Sequence, residues 1–211
     1  MKLGIAVLRP AFAAALLAAS ACLLAGCNGL VSSTPWIGPG DSAGAPKLRA
    51  GLWRVTSDPK KPCAVDERRP FRTWPDCAGA LIVQADALVG YDKDKGRWTP
   101  TSFPYALAAG SPVVMQVEDV KSTNEQRFQF EWLRVTKTDA QGRITGVEGW
   151  RVGCGPPPGP DGVKPPLYPG LTDLKGDCTA ANKQALFDAA KASQRDAGDV
   201  STAHWVRDQA R

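Results

Sequence analysis

One histidine, His204, stands in a chain of 211 residues. No Cys-x-x-Cys accompanies it, so a zinc site built from cysteine and histidine is not expected, nor any other metal or cofactor. Serine hydrolysis is not expected either, since no Gly-x-Ser-x-Gly nucleophile elbow is read. His204 is the only imidazole available as a general base, and beside Trp205 and Asp208 it reads as a surface or packing residue. No internal repeat occurs. Strong charge is also missing. The net value of +5 includes Lys2 and Arg9 of the leader, and what remains is too mild to indicate a nucleic-acid binder.

What the chain does have begins at its N-terminus. Lys2 and Arg9 form a positive region, and Ala11 to Ala25 is an uncharged Ala/Leu run, too short for a comfortable membrane span. The run ends in Leu24-Ala25-Gly26-Cys27. These four residues resemble the lipobox of bacterial lipoproteins, with a branched residue three before the cysteine and small residues beside it. Ala19-Ser20-Ala21 before Cys22 is a poorer match because it lacks the branched residue. The resemblance implies a signal peptide over 1–26, cleavage before Cys27, and acylation (diacylglycerol and palmitate) of that cysteine. Several acyl chains, at about 0.8 kcal/mol per buried CH2, anchor stably. In this class an Asp after the cysteine tends to retain a protein in the inner membrane. Asn28 therefore implies the outer membrane of a two-membrane bacterium, with the domain facing the periplasm.

Six cysteines are present. Cys22 leaves with the leader and Cys27 takes lipid. Four remain, an even number for an oxidising compartment, so disulfides are expected. Three connectivities are open. Cys63–Cys77 with Cys154–Cys178 is favoured, because each bond then staples one loop-like segment.

Residues 27–50 are rich in Gly, Ser, Pro and Ala without a period, and read as a lipid anchor followed by a flexible tether. A single β-rich domain is expected over 51–211. Strands are predicted from Gly51 to Thr56, Ala80 to Gln84, Leu88 to Tyr91, Tyr105 to Ala108 and Pro112 to Val120. In the last, Val113, Met115 and Val117 alternate with Val114, Gln116 and Glu118. The best-defined element is a hairpin, Arg127 to Thr138 and Arg143 to Gly153. If Ala140-Gln141-Gly142 is its loop, Asp139 faces Arg143, Trp132 faces Trp150, Arg134 faces Glu148 and Glu131 faces Arg151, all favourable pairs. Gly155 to Gly170 is too proline-rich for strand or helix. Thr179 to Arg195 is an Ala-rich helix, and a second helix is expected from Ser201 to Arg211. The fold class is mainly β (α+β): an antiparallel curved sheet, small barrel or sandwich, with one or two C-terminal helices.

Several constellations carry possible chemistry. Glu118, Asp119, Glu131 and Glu148 sit on strands, but the hairpin register gives Glu131 and Glu148 arginine partners, which favours ion pairs over a glycan-hydrolase dyad. Asp92-Lys93-Asp94-Lys95-Gly96 departs from a calcium loop, with glycine one place early and Phe103 where the bidentate Glu belongs, so it reads as a charged turn. Phe128, Phe130, Trp132 and Trp150 form either a stacking platform or core, and core suits a sheet better. The proline loop is a partner surface or a passive crossover. Lys60, Lys61, Arg68, Arg69 and Arg72, with Phe71 and Trp74, surround the first proposed disulfide. Such a loop can grip an anionic glycan or lipid group, or be a solvated loop whose aromatics fold under.

No catalytic residue is identified. The leading expectation is a non-enzymatic envelope lipoprotein with a binding or structural role, held to the membrane by its lipid. Its partner would be an envelope protein or an anionic glycan or lipid, met on the loop at 60–74. An inhibitor of a hydrolase such as lysozyme and a carboxylate-dependent envelope hydrolase are the alternatives.

Overall fold

The structure, a computed structural model, describes residues 28–56, 63–94, 97–122, 125–160, 163, 165–196 and 200–208. The proposed leader and Cys27 lie outside the described residues. In chain order the elements are β1 (Val31–Ser32), α1 (Pro39–Ser42), β2 (Gly51–Thr56), β3 (Gly79–Val83), β4 (Ala87–Asp94), β5 (Arg97–Ala108), β6 (Val113–Glu118), β7 (Phe128–Thr138), β8 (Ile144–Arg151), β9 (Leu171–Leu174), β10 (Asp177–Ala180), α2 (Lys183–Asp196) and β11 (Ser201–Arg207). Strands β2 to β8 form an antiparallel meander, and β11 enters between β8 and β2 to close it into an eight-stranded barrel. The barrel alternative of the sequence reading therefore holds. The ninth strand, β1, lies outside the ring against the start of β7.

Alternation accounts for the wall. Trp53, Val55, Leu81, Val83, Phe103, Leu107, Met115 and Leu133 fill the interior. The alternate residues of β6 and β7, Val114, Phe130 and Trp132, point outward yet are buried beneath α2, through Leu186, Ala189 and Ala190. Both faces of these two strands are thus dry. Phe128, Phe130 and Trp132 are core, while Trp150, opposite Trp132, stays 42% exposed. Elsewhere the outer wall carries charge, as at Arg54, Arg134 and Glu148. An apolar interior with a charged exterior is the reverse of a membrane-spanning barrel. Among the described residues, no helix is long and apolar enough to cross a membrane.

The β7–β8 register is the one its cross-strand pairs favour: Glu131↔Arg151, Trp132↔Trp150, Arg134↔Glu148 and Val135↔Val147. Its turn works as read. Gly142 has φ +74, a conformation that excludes most side chains. The Asp139 carboxylate accepts from the backbone N–H of Gln141 and Arg143, both at 3.0 Å. Both favoured disulfides are present, Cys63–Cys77 and Cys154–Cys178, with Cα separations of 5.8 and 5.7 Å.

Three expectations are corrected. Ser201–Arg207 is strand β11, not a second helix. Its inward Ser201, Ala203 and Trp205 alternate with outward Thr202 and His204, and pairing on both edges outweighs its helix-cap signals. The helix before it starts at Lys183, because Asp177–Ala180 pairs with β9. The tether read over 27–50 is, from Asn28 onward, fastened to the barrel. Leu30, Val31 and Ile37 are buried. Leu30 N donates to Val152 O at 2.8 Å, and Cys154 N donates to Asn28 O at 3.1 Å. The amides of Trp36 and Ile37 both donate to the Gln116 side-chain carbonyl, at 2.6 and 3.0 Å. Lys183 pairs with Asp41 at 2.7 Å. Backbone hydrogen bonds and a few isolated apolar residues hold this segment, so it shows no period.

Cys154 and Cys178 are 1% and 0% exposed within the cluster under α2. Replacing both with Ala is expected to lower the unfolding free energy by about 2–5 kcal/mol in urea denaturation under oxidising conditions. The outward Cys63–Cys77 staple should cost less when removed in the same way.

Candidate functional site

The stapled loop runs between β2 and β3. Of its predicted anion-gripping residues, Lys60 and Lys61 lie outside the described residues. From Cys63 onward the loop lies on the outer wall. A 3₁₀ turn at Phe71–Thr73 turns Phe71 (4% exposed) and Trp74 (8%) onto Leu52, with Ala80, Ile82, Tyr91 and Val206 around them. Trp74, expected beside the arginines as a ligand contact, is an anchor facing the wall, because a loop on a sheet gains most by burying its rings. Phe71 and Tyr91 meet with ring centroids 4.9 Å apart.

Two arginines of the wall fix the loop's backbone. Arg54 donates to Cys63 O at 2.6 Å, and Arg207 donates to Glu67 O and to Arg69 O. Glu67 lies between Arg54 (3.2 Å) and His204 Nε2 (2.8 Å). Burial pushes the Glu67 carboxyl up, but hydrogen bonds from His204 and Arg54 outweigh it and hold the carboxyl below its ordinary value. The sole histidine is therefore a wall residue on β11, not part of a terminal helix. Arg68 and Arg69 point outward, with side chains 91% and 72% exposed, and share one carboxylate, Asp66. Arg72 lies over the Phe71 ring at 5.7 Å.

Glu148 pairs with Arg134, and Glu118 with Arg127 at 3.2 Å. Glu131 does not fit the ion pair expected of it. It is inward-facing and 9% exposed, and its Oε2 accepts no hydrogen bond. Arg151, its cross-strand partner, instead donates to Gln129 Oε1 at 3.0 Å and lies against Gly29, where a Cβ would meet its guanidinium carbon at 3.2 Å. Burial pushes the Glu131 carboxyl up to about 7, and the Arg151 charge offsets only part of that. Pairing by Cα register thus predicted proximity but not contact.

One pattern escaped the sequence reading. Gly40-Asp41-Ser42-Ala43-Gly44 carries the letters Gly-x-Ser-x-Gly. It forms the short α1 turn and its exit rather than a strand-to-helix elbow. Asp41 is engaged with Lys183, and His204 stands on the far side of the barrel against Glu67. Among the described residues, no imidazole stands beside this serine. Among the described residues there is no group of three His, Cys, Asp or Glu that could hold a metal ion. The Asp92–Gly96 segment belongs to the β4–β5 hairpin, with Asp94 paired to Arg97.

A groove of about 600 Å3 lies between the C-terminal half of α2 and the β5–β6 turn, lined by Arg134, Lys191, Gln194 and Arg195 among others. The chain matches no protein-family model, no curated protein and no solved structure.

The raised Glu131 carboxyl predicts a pH dependence. The folded protein holds this proton more tightly than the unfolded chain does, so the stability it contributes is complete below about pH 4.5 and is lost as pH rises through about 7. The loss is on the order of 3 kcal/mol. In Glu131→Gln, the urea midpoint should fall less between pH 5 and 8 than in the parent. Identical pH profiles would rule out a buried, titrating Glu131.

Proposed function

We propose that the protein is an envelope lipoprotein that acts by binding rather than by catalysis. Cys27 anchors it in the outer membrane and the barrel faces the periplasm. Its binding surface is the arginine tip of the stapled loop, and its partner is an anionic group of an envelope glycan or lipid.

The carrying observation is the exposure of Arg68 and Arg69 on a backbone that is already fixed. The Cys63–Cys77 bond, the buried Phe71 and Trp74, and the Arg54 and Arg207 contacts all hold the loop. A surface pre-organised in this way loses little conformational entropy on binding. One carboxylate, Asp66, between two guanidiniums leaves positive charge and free donors for bidentate contact with phosphate or carboxylate. The acids give little support to hydrolysis. Glu67, Glu118 and Glu148 are each engaged by arginine, and Glu131 is enclosed within the barrel.

The test uses the mature chain with Cys27→Ala, which carries no acyl group and needs no detergent, co-sedimented with peptidoglycan sacculi and, separately, with vesicles containing phosphatidylglycerol. Binding to at least one anionic probe is expected, weakening as salt rises. The triple variant Arg68→Ala/Arg69→Ala/Arg72→Ala should bind at least tenfold more weakly, with its thermal midpoint nearly unchanged because the arginines are exposed. Binding to neither probe, or full binding by the triple variant, would overturn the proposal.

A further inference from the structure

We infer that the barrel stands on the membrane in a fixed orientation, with one identified end against the lipid headgroups. This rests on the reading that Cys27 carries the lipid. Because neighbouring strands alternate in direction, β7 and β11 begin at the same end of the barrel as β6, β8 and β2 finish. The chain is fastened at this end from its first described residue. Cys154 N donates to Asn28 O and Cys178 N to Gly29 O, both at 3.1 Å, and Gly29 N donates to the Asp177 carboxylate at 3.2 Å. Gly29 also bridges Gly153, and Leu30 runs alongside Cys178.

Two residue steps lead from Gly29 back to Cys27, a reach of at most about 7 Å at 3.3–3.6 Å per residue. The polar layer of one bilayer leaflet is roughly 5–8 Å deep. An acylated Cys27 therefore has no slack with which to lift the barrel clear of the headgroups. The connection from β6 to β7, through Glu125, lies at the same end. So does the far end of the β4–β5 hairpin, where Asp94 meets Arg97. The β7–β8 turn at Asp139–Gly142 lies at the other.

The orientation also decides how a partner reaches the arginines. The stapled loop leaves β2 at the membrane end but climbs the wall. Arg207, which holds the carbonyls of Glu67 and Arg69, closes β11 at the far end, and Phe71 and Trp74 rest on Leu52 where β2 begins. Arg68 and Arg69 are thus carried toward the far half, and their partner approaches from the aqueous side rather than from the bilayer that holds the anchor.

The experiment places a maleimide donor at Glu125→Cys or at Gln141→Cys in the lipidated protein. The protein is reconstituted in phosphatidylethanolamine–phosphatidylglycerol vesicles with headgroup-bound acceptors. The native thiols of the mature chain are acylated or in disulfides and do not label. Energy transfer should be strong from residue 125 and several-fold weaker from residue 141. A twelve-residue Gly/Ser insert between Cys27 and Asn28 should erase most of that difference. Equal transfer from both sites, or no effect of the insert, would overturn the fixed orientation while leaving the anchor in place. The intact mass of the same preparation tests the anchor itself. Absence of acyl mass on Cys27 would remove the premise and is read separately from the transfer result.

Discussion

Closure of the ring by β11 is the constraint on which the rest of this structure depends. Without it β2 and β8 would each present an unpaired edge, and an open edge invites association with other chains. The strand that closes the barrel is the last element among the described residues, and the segment between β8 and β11 brings the chain back to it. The proline-rich crossover leaves β8, the Cys154–Cys178 bond ties that exit to β10, and α2 then carries the chain along the outer wall. Leu186 and the alanines of α2 cover Val114, Phe130 and Trp132 on the way. The helix is therefore both a return path and the lid of a second core.

Three other segments use the outer wall differently. The N-terminal segment crosses it from the end near β8 to the end where β2 begins, held at Gln116 and then at Ile144. The stapled loop covers the sector of β2, β3 and β11, with its rings inward and its arginines outward. The β7–β8 hairpin closes one end with its own Asp139–Arg143 contact at 2.7 Å. The interior is less completely satisfied. Thr101, Glu131, Thr145 and Ser201 each have a buried side-chain oxygen without a hydrogen-bond partner. Such groups weaken a core that alternation otherwise packs with large apolar residues.

Legibility in the sequence followed the range of the interactions involved. The β7–β8 register could be read because a short turn makes it local, and the opposed residues choose their partners by size and charge. The disulfides could be read because an even number of cysteines outside the leader and the spacing of each pair around a loop limit the choices. The strand β11 was hidden by its position after an Ala-rich helix, although Ser201, Ala203 and Trp205 alternate with Thr202 and His204. The docking of residues 28–50 left no periodic trace, since Leu30, Val31 and Ile37 are spaced for particular holes in the wall. In the candidate site, the clustering of arginines and rings was visible, but which of them face outward was not. Trp74 and Arg68 are six residues apart on one loop and end on opposite sides of it.

The sequence by itself determined the local and compositional features: the export signal resemblance, the strand alternation, the hairpin and the cysteine pairs. Each rests on residues close in the chain or on counts that need no coordinates. Tertiary structure alone decided that the sheet closes, that the supposed tether is part of the domain, and that Glu131 stands unpaired inside. These depend on contacts between residues far apart in sequence, Gly29 with Cys178 or Trp53 with Trp205. Which of many possible long-range contacts forms is settled by the packing of the whole chain, not by the chemistry of either partner.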